Sequence, residues 1–247
     1  MTARQYRAPP IIDAIIEVRF GSLLTEAERQ RVSTKFEKRY PFVQEVVNQR
    51  IAVTVGAAGS NLDTIDEEHI FRRTSAEMPE VLQVGSKIFS VASQAPYQGW
   101  DYLFDRLVSD WAIARKVWGY RPIERVGLRF INRLDLKPDA SGVVEYERYL
   151  NLRINLPESF PHIYGYSLDF MTAVDEIGCD VRVQSGVTDP GMPGGTSFLL
   201  DIDVWRQREV PQKDVEVLEL LGEMRVAKNG LFETFITDEA RALFNAG

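Results

Sequence analysis

The chain has 247 residues, of which 45% are hydrophobic and 26% are charged, and this globular composition argues against collagenous, disordered and disulfide-scaffold classes. Its formal net charge of −7 argues against nucleic-acid binding, because phosphate recognition usually needs a basic surface. Since Cys179 is the single cysteine and no apolar run reaches about 20 residues, we expect a cytoplasmic protein that neither forms an internal disulfide nor enters a membrane.

The first elements in chain order are a strand and a helix. Residues 11–20 alternate between apolar and polar side chains, which predicts a half-buried strand whose outward positions include Glu17 and Arg19. Thr25 and Glu28 have the spacing of a capping box, in which each end of the first helical turn bonds the other. A helix is therefore predicted from there to about residue 39, where Tyr40-Pro41 ends it.

Short strands and a long amphipathic helix complete the first half of the chain. The polar residues 57–68 are expected to form a loop. Apolar residues recur at helical spacing from Trp100 to Trp118 and predict the most amphipathic helix of the chain. The short strands are expected at residues 50–56, 69–75, 81–84 and 87–93.

The second half has a similar series of elements. A glycine- and proline-rich loop is predicted at residues 188–195, and Thr237 is predicted to cap a last short helix. Helices are expected near residues 143–150 and from about 213 to 228. Strands are expected at residues 125–136, 164–174, 179–185 and 197–205.

The matching order of the two halves predicts an internal duplication. Val18-Arg19-Phe20 and Leu128-Arg129-Phe130 lie about 110 residues apart, and the two long helices begin at a similar separation. We therefore expect an α+β fold in which residues 1–119 and 120–247 are two copies of one strand–helix–strands–helix unit around one shared core. Their strands would form a largely antiparallel, curved sheet packed by the long helices.

Four sequence blocks together resemble a known family. They are APPI leading into EVRF at residues 8–20, GLRFINR at 127–133, LLDID at 199–203 and FETFITD at 232–238. The family resembled is prokaryotic, of about this length, patchily distributed among bacteria and archaea, and without an assigned activity. The resemblance spans nearly the whole chain and implies lateral transfer, with an accessory role in a mobile-element or defence gene cluster. It implies no catalytic residues.

Asp201 and Asp203 form the motif with the clearest chemical potential. Residues two apart in a strand share a face, and two carboxylates there can hold Mg²⁺ or Mn²⁺. With Glu17 nearby, this predicts the alternative function, a divalent-metal-dependent phosphoester or nucleotide enzyme. A nucleotidyltransferase would carry its Gly-Ser turn on a separate helix start, whereas residues 195–197 run directly into the same strand. Solvated or arginine-paired carboxylates are therefore the favoured interpretation.

Three arginines at outward strand positions, Arg19, Arg129 and Arg133, are the candidate ligand-binding residues. One interpretation is that they form an ion-pair ladder with Asp201, Asp203 and Glu17, which sets the strand register. The other is a groove in which the guanidinium groups bind an anionic ligand. Loss of stability alone in alanine variants would favour the ladder, whereas loss of ligand binding at unchanged stability would favour the groove.

Nucleophilic and zinc chemistry find little support in the sequence. His69, His162 and Cys179 are far apart, no GxSxG motif is present, and no zinc-ligand spacing exists. We therefore predict no catalytic residue and no cofactor, apart from Mg²⁺ or Mn²⁺ under the alternative. The predicted function is non-catalytic binding, with a protein partner or a second copy of the chain covering apolar surface that the helices leave exposed.

Overall fold

The computed structural model describes residues 4–56, 59–138, 144–157, 159–160 and 165–246, with the backbone alone for residues 48–67. Over these residues the chain forms nine strands and four α-helices, and the described strand pairs run antiparallel. The expected α+β class with antiparallel strands is therefore confirmed. Of the helices in these ranges, none offers the continuous apolar length that a bilayer crossing requires.

The elements have the following bounds. The helices are α1 (Glu26–Lys35), α2 (Trp100–Trp118), α3 (Asp214–Phe235) and α4 (Asp238–Asn245). The strands are β1 (Ile11–Phe20), β2 (Phe42–Gly56), β3 (Gly59–Thr74), β4 (Glu80–Gly85), β5 (Ile88–Gln94), β6 (Ile123–Leu136), β7 (Ser167–Val174), β8 (Cys179–Thr188) and β9 (Thr196–Arg206).

The chain divides into two compact units. The N-terminal unit comprises Ile16–Gln94 and Gln98–Arg125. The C-terminal unit comprises Met1–Ile15, Ala95–Tyr97 and Val126–Gly247. The boundary falls inside β1, which contributes its second half to the N-terminal unit and its first half to the C-terminal unit.

The strands of the N-terminal unit follow the order β2-β3-β4-β5-β1. Four aromatic rings from β1, β5 and α2 pack together in its core. Phe20 and Phe89 each contact Trp111 and Trp118, at centroid distances between 5.2 and 5.9 Å. The predicted capping box is confirmed, since the Thr25 hydroxyl accepts from the N3 amide while the N3 carboxylate accepts from the Thr25 amide. The predicted bounds of α2 are confirmed as well.

Two predictions for the N-terminal unit are wrong. Helix α1 ends at Lys35 rather than near residue 39, because Phe36 and Tyr40 turn into the core, where each is at most 1% exposed. Most of the predicted loop at residues 57–68 is strand, since β3 begins at Gly59 and pairs with β2 from Gly56 onward. Cross-strand pairing therefore overrides the polar composition, as strand propensity depends strongly on context.

The strands of the C-terminal unit follow the order β1-β6-β9-β8-β7. The predicted alternation of β6 is confirmed, because Leu128, Phe130, Leu134 and Leu136 are buried while the arginines between them are partly exposed. Helix α3 extends to Phe235, beyond the predicted end at residue 228, and a 3-10 turn at Tyr146–Arg148 replaces the short helix expected nearby.

Helix α4 is held by a cap that the sequence predicted and by a contact from Tyr6 that it did not. Thr237 caps α4 as predicted and accepts a hydrogen bond from the Ala240 amide. Tyr6 packs its ring 5.4 Å from that of Phe244. Its hydroxyl donates to Glu233 at 2.6 Å, so the segment before β1 is docked on α3 and α4.

Candidate functional site

The outward face of the C-terminal unit carries a set of charged residues that we name the charged strip. The register places Asp203 of β9 opposite both Arg129 of β6 and Arg182 of β8. Asp201 of β9 and Asp169 of β7 lie in the next row of this face, two residues along the strands from Asp203. They share the face because residues two apart in a strand point the same way. The charged strip consists of Arg129, Arg182, Asp169, Asp201 and Asp203.

Arg129 holds Asp201 with both ends of its guanidinium group. Its Nη2 lies 2.5 Å from Oδ2 of Asp201 and its Nε lies 3.0 Å from Oδ1, a bidentate geometry. The hydrogen bonds that Arg129 donates to Asp201 raise the pKa of Arg129 above its usual range against the effect of burial, and the charge of Asp203 acts in the same direction. Asp201 is 7% exposed, so the hydrogen bonds from Arg129 replace most of the contact with water that burial removes.

A second pair occupies the β7–β8 side of the charged strip. Arg182 hydrogen bonds to Asp169 through both Nε and Nη2, and the amide of Gln184 donates to the same carboxylate at 3.2 Å. The hydrogen bond from Arg182 lowers the pKa of Asp169. Asp203 lies in register between Arg129 and Arg182, and its charge raises the pKa of both. The charges of the strip therefore alternate in sign along its length.

Arg133 takes part in a different contact, at the end of β6. Its Nε lies 2.9 Å from Oδ1 of Asp135, and that carboxylate also accepts a hydrogen bond from Ser197 at 2.5 Å. The amide of Gly191 donates to the Ser197 hydroxyl, and a Cβ on Gly191 would lie 2.4 Å from Asp135. The glycine-rich loop thus reaches the Arg133 pair, a contact that the sequence did not predict.

Glu17 and Arg19, the remaining predicted site residues, belong to the N-terminal unit. Oε1 of Glu17 accepts a hydrogen bond from Arg19 Nε at 2.6 Å and another from Arg125 Nη1 at 2.6 Å. Arg125 was not among the predicted site residues, although it has the same strand parity as Arg129, which was. The predicted residues therefore fall into one group in the N-terminal unit and two in the C-terminal unit, where Arg133 is separate from the charged strip.

A metal ion at Asp201, the alternative that the sequence raised, would compete with Arg129. Within the described ranges, no three histidine, cysteine or carboxylate side chains gather closely enough to hold a metal ion. Both oxygens of Asp201 accept hydrogen bonds from Arg129, so a cation there would have to displace a guanidinium group. His162 lies outside the described residues. Cys179 is buried, and this burial raises the pKa of its thiol to about 11, which makes the thiol unreactive near neutral pH.

A buried ionic cluster in the N-terminal unit also escaped the sequence analysis. Asp110 is fully buried on α2, where it accepts hydrogen bonds from the Tyr40 hydroxyl at 2.5 Å and from Arg39 at 2.9 Å. One turn earlier, Arg106 donates to the backbone oxygen of Ala92 at 2.6 Å. The available signal was helical spacing, because Arg106 and Asp110 fall on the same face as the apolar residues of α2.

Lys228 is a third unpredicted feature and lies on the buried face of α3. Its side chain is 5% exposed, and its ammonium nitrogen lies 3.8 Å from the centroid of the Phe130 ring. Burial, together with a smaller contribution from the charge of Arg225, lowers the pKa of Lys228 to about 7, although the charge of Glu233 opposes the change. The C-terminal unit therefore has a core amine that titrates near neutral pH.

The outermost strand of the C-terminal unit presents a different kind of surface. Among the described strands, β7 is last in the order and has β8 as its neighbour. Six of its eight residues are exposed and the other two are half-buried. Phe170 is 39% exposed and Met171 is 66% exposed, so apolar side chains on both faces of this strand reach solvent.

No protein-family model and no curated protein matches the chain. The resemblance of its four sequence blocks to a patchily distributed prokaryotic family therefore stays a prediction.

Proposed function

We propose that this chain is a non-catalytic binding protein that contacts another polypeptide through the edge of β7. The observation that carries the proposal is that β7 is an open edge with exposed apolar side chains. The outer N–H and C=O groups of an edge strand can pair with another strand, and proteins normally protect them with lysine, proline, bulges or very short strands. β7 has eight residues, lacks lysine and proline, and pairs with β8 without a register shift.

The charged strip supports a structural role for Arg129 and Arg182 rather than the binding of an anionic ligand. Arg129 is engaged by Asp201, and Arg182 by Asp169, so these guanidinium groups already have anionic partners in the chain. This supports the ion-pair ladder that was one of the two interpretations of the strip. An anionic ligand would have to compete with carboxylates that the fold places in register.

The topology supports a proposed duplication of the two units. In the N-terminal unit the neighbouring strands have the order β1-β5-β4-β3, and α2 follows β5 along the chain. In the C-terminal unit the neighbouring strands have the order β6-β9-β8-β7, and α3 follows β9 along the chain. Each first strand thus neighbours the last strand of its own series. Superposing the four equivalent strands and the long helix tests the duplication, and strands that match in order but not in space would contradict it.

The proposed setting is the cytoplasm of a prokaryote, in a laterally transferred or defence gene cluster. Support for this setting comes from the four sequence blocks and from the single, unpaired cysteine. Nucleic acid is a poor candidate partner, because the chain has a net charge of −7 and the arginines of the charged strip are neutralised.

The test is a parallel purification of three tagged proteins from the native host, followed by native mass spectrometry. The three proteins are the wild type, Met171→Lys and Val226→Lys. Met171 and Val226 are each 66% exposed, so the two variants place the same charge at equally exposed apolar positions, one on β7 and one on α3. We expect a polypeptide, either a partner or a second copy, on the wild type and on Val226→Lys, with loss from Met171→Lys. A retained metal ion or nucleotide without any polypeptide would overturn the proposal and favour the Asp201 alternative.

A further inference from the structure

We infer that the polypeptide on β7 is a second copy of this chain, paired antiparallel through its own β7 about a twofold axis at Phe170. This inference rests on the proposed function, because it names the occupant of the same edge. It follows from the direction of the main-chain groups of β7, the symmetry of a two-chain sheet and the position of the one charged residue in the strand.

The hydrogen bonding of β7 shows which residues face the open edge. The Val187 amide donates to the Tyr166 carbonyl at 3.2 Å, one pairing step before Ser167 opposite Gly186. In an antiparallel ladder both main-chain groups of a residue point to the same side, and the side alternates along the strand. The even-numbered residues of β7 therefore bond to β8. The residues whose N–H and C=O groups face outward are Ser167, Asp169, Met171 and Ala173.

Symmetry restricts how two copies of this edge can pair. A twofold axis between antiparallel strands stands perpendicular to the sheet, so each residue faces one whose side chain lies on the same side of the sheet. A register centred on Phe170 places Asp169 opposite Met171 of the second copy, and Ser167 opposite Ala173 of the second copy. These outward residues would form about eight main-chain hydrogen bonds across the axis.

The side chains of β7 suit this register. Asp169 is the one charged residue of the strand, so facing Met171 of the second copy avoids opposing two like charges. Asp169 is also neutralised by Arg182 of its own chain. Phe170 would face Phe170 of the second copy in a non-hydrogen-bonded pair, where side chains approach most closely. The partly exposed ring, which lies 6.1 Å from Phe235, would thereby gain an aromatic neighbour across the axis.

Cysteine cross-linking tests both the partner and the register. Two residues that face each other in a non-hydrogen-bonded antiparallel pair have Cα atoms about 4.5 Å apart, which a disulfide can span. Phe170→Cys should therefore form a covalent dimer under mild oxidation. Thr172→Cys is the matched control, because it would face Leu168 of the second copy and lie several residues from its own equivalent. The native Cys179 should not interfere, since it is buried and the pKa of its thiol is raised to about 11.

The outcomes of the cross-linking distinguish the alternatives. A covalent dimer of Phe170→Cys without one of Thr172→Cys supports the inference. A dimer formed by Met171→Cys in place of Phe170→Cys would overturn the register and move the axis by one residue. A wild type that sediments as a monomer at about 100 μM would overturn the second copy as the occupant. In that case a different polypeptide retained by β7 in the host purification would still support the proposed function, so the two failures are distinguishable.

Proline at position 171 supplies an independent test that leaves the chain otherwise intact. The Met171 amide faces the open edge, so Met171→Pro removes one donor from each copy, and thus two hydrogen bonds between copies, without removing one between β7 and β8. We expect the dissociation constant of the dimer to rise by at least about tenfold while the circular dichroism spectrum stays unchanged. If Met171→Pro fails to fold, Met171→Lys provides the same comparison through charge. A variant that folds and dimerises like the wild type would overturn the inference.

Discussion

Replacing Lys228 by methionine tests how strongly a buried amine limits the stability of the C-terminal unit. Lys228 lies on the face of α3 that packs into the core, over the ring of Phe130, and is 5% exposed. Methionine has a similar unbranched length, and its sulfur packs well against aromatic rings. The substitution therefore removes the charge while keeping most of the volume, as in buried ion sites where apolar replacements stabilise a protein.

The pKa of Lys228 sets the size and the sign of the effect. Burial lowers it from the ordinary 10.5 to about 7, and at about 1.4 kcal/mol per pH unit this corresponds to about 5 kcal/mol between full protonation and full deprotonation of the folded amine. Between these two values the unfolded chain binds more protons than the folded chain, so the free energy of unfolding rises with pH. From pH 6 to pH 9 the rise due to Lys228 is about 2.5 kcal/mol.

The assay is urea denaturation of the wild type and Lys228→Met at pH 6, 7.5 and 9. At pH 6 methionine should raise the free energy of unfolding by about 2–4 kcal/mol, and at pH 9 this advantage should fall by about 2.5 kcal/mol. Lys213→Met is the control, because Lys213 lies at the exposed start of α3 and should give a pH-independent difference. A difference between wild type and Lys228→Met that stays constant from pH 6 to pH 9 would refute the reasoning.

Three further substitutions probe the ion pairs and the loop. Arg129→Ala leaves the buried Asp201 carboxylate without its bidentate partner and should lower the free energy of unfolding by about 1–3 kcal/mol, measured in urea; an unchanged value would contradict the ladder. Tyr40→Phe removes a donor from the fully buried Asp110 and should cost about 2 kcal/mol in the same assay. A Cβ at Gly191 would lie 2.4 Å from Oδ1 of Asp135 and 2.5 Å from Nη2 of Arg133, so Gly191→Ala must displace either the Arg133–Asp135 pair or the loop. We expect faster proteolytic cleavage within residues 189–195, and an unchanged cleavage rate would show that the two side chains move while the loop stays in place.

The local features of the fold were predictable from the sequence. The capping box at Thr25 depends on residues three apart, and the Trp100–Trp118 helix depends on a spacing that repeats within one segment. The alternation of β6 likewise identified Arg129 and Arg133 as outward residues. In each case one element determines the pattern, so no knowledge of its neighbours is needed.

The candidate site could be predicted only in part, because its contacts depend on register. The sequence places Arg129 and Asp201 on outward faces, but their pairing requires β6 and β9 to align Arg129 with Asp203. The Arg133 contact with the Gly191 loop depends on how a seven-residue connection folds back on a distant strand, and no local pattern encodes that. Lys228 is the last residue of the helix that the sequence predicts, whereas in the structure it lies in the interior of α3, which extends to Phe235.

The two units accommodate buried charge in different ways, and the pH response of each follows from the difference. Burial raises the pKa of Asp110 in the N-terminal unit in spite of its bonds to Tyr40 and Arg39, so the folded unit holds a proton that the unfolded chain releases near pH 3.8. The contribution of Asp110 to stability therefore falls as the pH rises through its folded pKa, whereas that of Lys228 grows as the pH rises above about 7. Asp110→Asn should therefore weaken the pH dependence of the free energy of unfolding on the acid side. Lys228→Met should weaken it on the alkaline side. A profile in which either variant flattens the opposite side would contradict the assignment of these two groups.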